Sequence, residues 1–152
     1  METQLNSLID AVRQAGADGR VLRLRGGSTK DFWGQSLTGE VLDTRAYQGI
    51  VSYEPSELVV TVRCGTPLAE LEAALAEKGQ CLAFEPPHFG EGATVGGMVG
   101  AGLSGPARAT AGAVRDASGG TNYRFLPCPS GTVQPSAAAV AQYPSLIDNY
   151  SS

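Results

Sequence analysis

Two glycine-rich segments hold the residue types of this sequence that are best suited to chemistry. The first, residues 25–30, reads Arg25-Gly26-Gly27-Ser28-Thr29-Lys30. The second, residues 90–105, begins a stretch with eight glycines between Gly90 and Gly112. Successive backbone N–H groups in a turn form an anion-binding concavity, and glycine removes the side chains that would block it. The two segments therefore predict a site for a large anionic cofactor; the alternative is a pair of tight turns without a ligand.

Other nucleotide and hydrolase motifs fit poorly. Residues 100–105 match the dinucleotide pattern G-x-G-x-x-G, but the preceding segment is interrupted by glycine, and no acidic residue follows at the distance that would hold a ribose. A P-loop sequence is absent. Ser104 lies between glycines, yet Pro106 breaks the G-x-S-x-G pattern and His88 precedes the serine instead of following it. These patterns do not favour a Rossmann fold, nucleotide hydrolysis or serine hydrolase chemistry.

The remaining reactive side chains give weaker signals. Glu85, His88 and Glu91 are suitable metal ligands within seven residues of one another, but one histidine with two glutamates in a Pro/Gly loop favours a hydrogen-bonded turn or a ligand cleft. We therefore predict no metal site and no catalytic base. The three cysteines, Cys64, Cys81 and Cys128, form no Cys-x-x-Cys pair and are expected to be reduced thiols.

Charge and hydropathy exclude several classes of partner. The chain has 11 Lys and Arg against 15 Asp and Glu, a net charge of −4, and no basic run. Nucleic-acid binding and adhesion to anionic membranes both need clustered positive charge, so neither is expected. The apolar runs are too short to span a bilayer, and the first residues lack the features of a secretion signal. A cytoplasmic protein without membrane insertion is predicted.

The elements that must position the glycines alternate between strands and helices. Leu5, Leu8, Ile9 and Val12 predict a packing helix over 4–15, and Thr66-Pro67 predicts the start of a second helix that ends before Gly79. Short strands are expected at 21–25, 40–43, 49–53 and 57–64. This order predicts an α+β fold with a small mixed sheet covered by helices. From residue 117 the chain carries two charged residues and no clear period, which predicts a loop-rich tail.

At this point the sequence resembles a known family. Residues 21–31, 49–68, 85–88 and 93–106 resemble the FAD-binding domain of the vanillyl-alcohol oxidase/para-cresol methylhydroxylase (PCMH) type. The stretches Glu85-Pro86-Pro87-His88 and Gly96-Gly97-Met98-Val99 carry a narrower similarity to the FAD-binding subunits of bacterial glycolate dehydrogenases. The resemblance implies the N-terminal part of a two-lobed α+β domain with FAD between the lobes. It further implies that the cofactor contacts Arg25, Gly26, Gly27, Ser28, Thr29, Lys30, Pro86, His88, Thr94, Gly96, Gly97, Gly100, Gly102, Ser104 and Gly105.

The resemblance also implies an assembly and a reaction. Enzymes of this type are complexes with a second flavin subunit and an iron–sulfur subunit that oxidise glycolate to glyoxylate, and those partners would allow peripheral attachment to an inner membrane. The similarity stops after Asp116. We therefore expect an incomplete FAD-binding domain at 1–116 and an unrelated or disordered tail at 117–152, in a truncated chain that is inactive alone. The alternative is an interaction module that holds no cofactor.

Overall fold

The fold places short strands and helices on either side of the two glycine-rich segments. A computed structural model describes residues 2–106, 108–119 and 122–127. The elements, in chain order, are α1 (Glu2–Ala17), β1 (Leu22–Arg25), β2 (Glu40–Asp43), β3 (Ile50–Glu54), β4 (Val59–Val62), α2 (Leu68–Ala76), β5 (Gln80–Leu82), α3 (Val95–Ala101), α4 (Arg108–Ala111), α5 (Val114–Ala117), β6 (Ser118–Gly119) and β7 (Asn122–Pro127). The expected α+β class, with small sheets and helices, is confirmed.

The strands form two separate sheets. β1 and β2 pair in parallel, with Leu22 opposite Glu40 and Arg25 opposite Asp43. The second sheet has the order β3-β4-β7-β5 and is antiparallel, and β6 pairs with β7 as a hairpin. β1 ends at Arg25, so its last residue leads straight into the first glycine-rich segment.

The core lies between the larger sheet and the helices α2 and α3. Val60 and Val62 alternate inward along β4, and Leu68, Leu71 and Leu75 line one side of α2 with no exposed surface. On α3 the buried residues are Val95 and Met98. A helix with glycine at three of seven positions has little stability of its own, because each interior glycine costs about 0.5–1 kcal/mol relative to alanine. Packing of these two apolar side chains holds α3 in place.

α1 packs differently from the expectation. The predicted helix is present and slightly longer, but Leu5, Ile9 and Val12 of its apolar stripe are 39%, 36% and 50% exposed, and Ala15 is buried instead. Leu8 of the same stripe is partly buried, so the stripe is only partly covered. No described helix is both long and apolar enough to cross a membrane.

The start of α2 also differs from the expectation. Pro67, not Thr66, is the residue that precedes the helix, and no side chain caps it. The Thr66 hydroxyl instead accepts a hydrogen bond from the backbone N–H of Gly49 at 2.8 Å. This hydrogen bond joins the turn before β3 to the turn before α2, so the Thr66 side chain does not cap the helix. Gly79 adopts a φ of +66° just beyond the helix, as its position after the apolar stripe predicts.

The structure places ordered elements on both sides of the expected boundary at residue 116. That boundary falls inside α5, and the Val114 and Ala117 side chains belong to the main core. β7 then lies between β4 and β5, with Val60 opposite Tyr123 and Cys81 opposite Leu126. The part of the expected tail at 128–152 lies outside the described residues. Among the described residues, the sheet therefore extends to Pro127.

Candidate functional site

The first glycine loop, residues 25–31, is a tight turn closed at its base by an ion pair. Nη2 of Arg25 lies 2.5 Å from Oδ2 of Asp31, so the residues on either side of the loop are joined. The Asp31 N–H donates to the carbonyl of Ser28 at 3.2 Å. Ser28 adopts a φ of +62°, a left-handed conformation that non-glycine residues rarely occupy. The loop is thus fixed at both its base and its tip.

Several hydrogen-bond donors between the base and the tip of this loop have no acceptor among the described residues. In the described part of the chain, the backbone N–H groups of Gly27, Ser28, Thr29 and Lys30 make no hydrogen bond. The Lys30 ammonium is half-buried and has no carboxylate partner within those same residues. This desolvation lowers the pKa of Lys30 from its usual value. Successive free amides next to an unpaired cation are what an anion-binding turn provides.

The second glycine loop, residues 85–94, is held at both of its ends. The Glu85 N–H donates to the Ser104 carbonyl at 3.1 Å. At the other end, the Ala93 carbonyl accepts from the Leu68 N–H at 2.7 Å, which ties the loop to the first turn of α2. Between these anchors, no backbone group of residues 86–92 hydrogen-bonds to the described part of the chain. The middle of the loop depends on its side chains for its position.

The two loops meet in direct backbone contact. A Cβ placed at Gly27 would overlap the carbonyl oxygen of Gly92, so only glycine fits there. A Cβ placed at Gly26 would lie 2.5 Å from Oγ1 of Thr94. These two glycines are therefore required by the approach of the second loop. The structure thus brings together the two glycine-rich segments that are far apart in the sequence.

Aromatic side chains join the loops on their exposed side. The Phe89 ring lies under the Lys30 ammonium, with Nζ 5.7 Å from the ring centroid, and packs edge-on against Phe32 with centroids 5.3 Å apart. Phe32 is 64% exposed, and Trp33 packs edge-on against it. Phe89 itself has a φ of +53°. A cation over an aromatic face is held electrostatically, so Phe89 fixes where the Lys30 charge lies.

The glycines of α3 and of the turn that follows have mostly internal explanations. Gly96 packs against Cys64, whose Cβ would lie 2.9 Å from an added Cβ. Gly102 and Gly105 adopt φ values of +64° and +70°, as helix-ending and turn glycines do. Gly97 would meet only Oγ1 of Thr94, at 3.2 Å. Gly100 differs from all of these, because an added Cβ would meet nothing within 4 Å and its φ is ordinary.

Two of the four hydroxyl groups expected near a cofactor, those of Thr94 and Ser104, form hydrogen bonds inside the chain. Thr94 is the N-cap of α3, and its Oγ1 accepts a hydrogen bond from the Gly97 N–H at 3.1 Å. Ser104 is 4% exposed, and its Oγ accepts from the Val114 N–H at 2.9 Å. Pro86 is partly buried in the second loop. Both hydroxyls are already satisfied without a ligand.

His88 has a partner that sequence reasoning missed. Its Nε2 lies 3.1 Å from Oε1 and 3.0 Å from Oε2 of Glu72, in the middle of α2. The His88 side chain is 12% exposed and that of Glu72 is 28% exposed. In the sequence, the one indication of this pair was the position of Glu72 on the helix, next to the buried stripe that includes Leu68 and Leu71. Nothing in the spacing indicated that a loop 16 residues on would return to it.

Metal and thiol chemistry have no cluster of suitable residues in the described ranges. No group of three His, Cys, Asp or Glu side chains there could hold a metal ion. Glu85 and Glu91 do not join His88 in such a group. Cys64 and Cys81 form no disulfide among the described residues, and Cys128 lies outside them.

The first loop offers donors that fit an anionic group. Four consecutive amides and one ammonium have no protein acceptor among the described residues, and the buried Nε of Arg25 at the loop base likewise has no hydrogen-bond partner there. A buried polar atom is normally paired, so this Nε indicates a missing acceptor beside the loop. Glycine at 26 and 27 brings the second loop close enough to face the same donors.

A family model and a curated relative both match this chain. A family model described as an FAD binding domain matches residues 3–133. The glycolate oxidase subunit GlcE of Escherichia coli (strain K12) is 52% identical over 110 residues, which are 72% of this chain and 31% of that protein. The chain thus spans about a third of the length of this curated relative.

Solved structures share the fold at low sequence identity. Two crystal forms of alkyldihydroxyacetonephosphate synthase match with a TM-score of 0.58 each, at 21% and 19% identity. The matches cover 74% and 88% of this chain, and 22% and 26% of those longer chains. At this identity the likeness supports the fold alone. The family match over residues 3–133 shows that the chain belongs to the FAD-binding domain family, whose cofactor is FAD.

Proposed function

We propose that this chain is the FAD-binding part of a flavin-dependent glycolate dehydrogenase, in which it holds the diphosphate of the cofactor. The observation that carries the proposal is the row of free amides from Gly27 to Lys30, next to an unpaired ammonium, where the two glycine loops meet. The 52% identity to a glycolate oxidase subunit supports glycolate as the substrate of the assembled enzyme.

The residues of this chain would bind and orient the cofactor. The amides of the first loop would hydrogen-bond to the phosphate oxygens, and Lys30 would neutralise part of their charge. Gly97 and Gly100 would leave room for the cofactor along α3, because the chain itself gives no reason for glycine at position 100. When bound, FAD supplies the acceptor for the hydride that a 2-hydroxy acid loses on oxidation.

No side chain of this chain is proposed as an acid or base in the reaction. His88 is the histidine of the sequence, and its Nε2 is engaged by Glu72. The substrate site and the route of the electrons would therefore be supplied outside these residues. We propose that a second flavin subunit and an iron–sulfur subunit form the complex, which is consistent with the description of the relative as a subunit.

The test of the reaction uses the protein within its complex. Anaerobic addition of glycolate to the purified complex should bleach the flavin absorbance and yield glyoxylate. A complex with the Lys30→Gln chain should contain less FAD, and its activity should recover when FAD is added in excess. A complex that carries FAD on this chain but oxidises another 2-hydroxy acid and not glycolate would contradict the substrate assignment and leave the FAD site intact.

A further inference from the structure

A polar side-chain pair, His88 with Glu72, joins the middle of the second glycine loop to α2. Glu72 lies on α2 beside the buried stripe formed by Leu68, Leu71 and Leu75, each of which is fully buried. The glutamate therefore stands on a rigid element. His88 reaches it from the loop, with its Nε2 3.0 and 3.1 Å from the two carboxylate oxygens.

The pair acts where the loop has no backbone support. Residues 86–92 make no backbone hydrogen bond to the described chain, so the hydrogen bonds that fix this loop lie at Glu85 and Ala93. His88 is the residue before Phe89, which packs under Lys30 and against Phe32. A shift at His88 would move Phe89 and Gly92 away from the first loop.

The position of the pair makes its hydrogen bond stronger than an exposed one. A hydrogen bond to a carboxylate is charge-assisted and roughly twice as strong as a neutral one. Exposed ion pairs contribute little because water and ions screen them, but both side chains here are largely removed from water. The carboxylate accepts, so Nε2 carries the proton that joins the two residues.

We propose that Glu72 is a positioning residue for the cofactor site: through His88 it holds Phe89–Gly92 against Gly27–Lys30. The proposal rests on the function proposed above, because it assigns to the pair a role in the affinity for FAD. Glu72 contacts no proposed cofactor ligand other than His88 in the described residues.

The test is a double-mutant cycle on the full chain, with FAD as the ligand. Glu72→Ala and His88→Ala should each weaken FAD binding by about tenfold, which is the free energy of one charge-assisted hydrogen bond. The double variant should bind no more weakly than either single one, because the two residues act as a unit. Glu72→Gln, which keeps an acceptor oxygen, should retain most of the affinity. Glu70→Ala, at an exposed position of the same helix, is the matched control and should bind as the parent does.

A measurement without the cofactor separates positioning from folding. Trp33 is the tryptophan of the chain and packs on Phe32, which contacts Phe89. Glu72→Ala should change the quenching of Trp33 fluorescence by acrylamide, while the circular dichroism of the helices and sheet stays that of the parent. If the double variant lost the summed affinity of the two single ones, or if Glu72→Ala bound FAD as the parent does, the proposal would be overturned. Failure of the parent chain to bind FAD would overturn the proposed function and this inference with it.

Discussion

The two glycine-rich segments look alike in sequence but serve different purposes in the fold. In the first loop, Gly26 and Gly27 are required by the close approach of Thr94 and Gly92, and the amides that follow have no acceptor in the described chain. In α3 and the turn after it, Gly96 packs on Cys64, and Gly102 and Gly105 adopt positive φ. The hydroxyls there are already bonded within the chain.

The contrast shows that glycine density alone does not mark a ligand site. A glycine can serve a tight turn, a close packing contact or an approaching ligand. The free amides beside the Lys30 ammonium distinguish the first loop as the candidate anion site, whereas the glycines at 96, 102 and 105 are explained by the fold. Gly100 is the exception, because neither its φ nor a neighbour explains it.

The largest effect is expected from Gly27→Val. The new side chain would overlap the Gly92 carbonyl and push the loops apart. We expect FAD affinity to fall by about a hundredfold or more, together with a loss of stability of about 1–3 kcal/mol from overpacking. Fluorescence titration with FAD and denaturant unfolding measure the two effects separately.

Gly39→Val is the matched control for that substitution. Its Cβ would lie 2.8 Å from the Val21 carbonyl oxygen at a φ of +136°, so it also carries a steric penalty, a smaller one, at the opposite end of the β1–β2 sheet. It should lose stability but keep FAD affinity in the folded protein. Equal loss of affinity in both variants would mean that the contact between the loops has no special role.

A smaller effect is expected from removing the Lys30 charge. Lys30→Gln should weaken FAD binding by about tenfold, the typical value of one charge-assisted contact. Lys78→Gln, at the exposed end of α2, removes the other lysine of the chain and should leave the affinity unchanged. An equal loss in both variants would indicate long-range attraction of the anion instead of a contact at Lys30.

Titration of Lys30 should make both the FAD affinity and the stability of the chain depend on pH. Burial lowers the pKa of Lys30, so the free folded chain loses this proton at a lower pH than the unfolded chain does. A bound anion raises that pKa again; FAD affinity is therefore highest below the pKa of the free chain and falls as pH rises through it. The stability of the free chain changes in the opposite direction. Its free energy of unfolding increases as pH rises through the same range, because burial disfavours the charged ammonium form of Lys30. In Lys30→Arg, which stays charged, the fall in affinity should disappear.

Gly100→Val should affect the cofactor without affecting the fold. The space around position 100 is open in the chain, and valine and glycine have similarly low helix propensities, so the unfolding free energy should change little. FAD affinity should fall several-fold if the cofactor lies along α3. Gly16→Val, in α1, also enters open space and serves as the control. Unchanged affinity in Gly100→Val would restrict the cofactor site to the first loop.

Ser104→Ala should have the smallest effect on FAD binding. Its Oγ is the acceptor of the buried Val114 N–H, and removing it leaves that donor unpaired at a cost of about 1–3 kcal/mol. The unfolding free energy should therefore decrease while FAD affinity stays within error of the parent. A clear loss of affinity at unchanged stability would instead place the hydroxyl on the cofactor.

The sequence predicted the elements whose local pattern is strong and missed those that depend on distant partners. The strand at 40–43 and the helix at 4–15 were expected and are present. β5, α3 and β7 were not expected, because none of them has a clear hydrophobic period. β5 is three residues long, α3 is rich in glycine, and β7 has a composition typical of loops. α3 is held by Val95 and Met98 in the core, and β7 by pairing on both sides.

The candidate site was predictable in its parts but not in its connections. Residues 25–30 stood out by residue type, and their contact with the second segment was inferred from the need for two anion-binding turns. The Glu72–His88 pair and the packing of Phe89 on Lys30 were not predictable, since tertiary contacts between a helix and a loop leave no spacing signal. The assignment of FAD contacts to individual residues stays a prediction.

Titration of the 152-residue chain with FAD, followed by the quenching of flavin fluorescence, tests the assignment of the cofactor site most directly. Saturable binding of one FAD per chain is expected, with competition by ADP, which shares the diphosphate, and none by riboflavin, which lacks it. A folded chain that fails to bind FAD, or that binds riboflavin as well as FAD, would contradict an anion site formed by the two glycine loops.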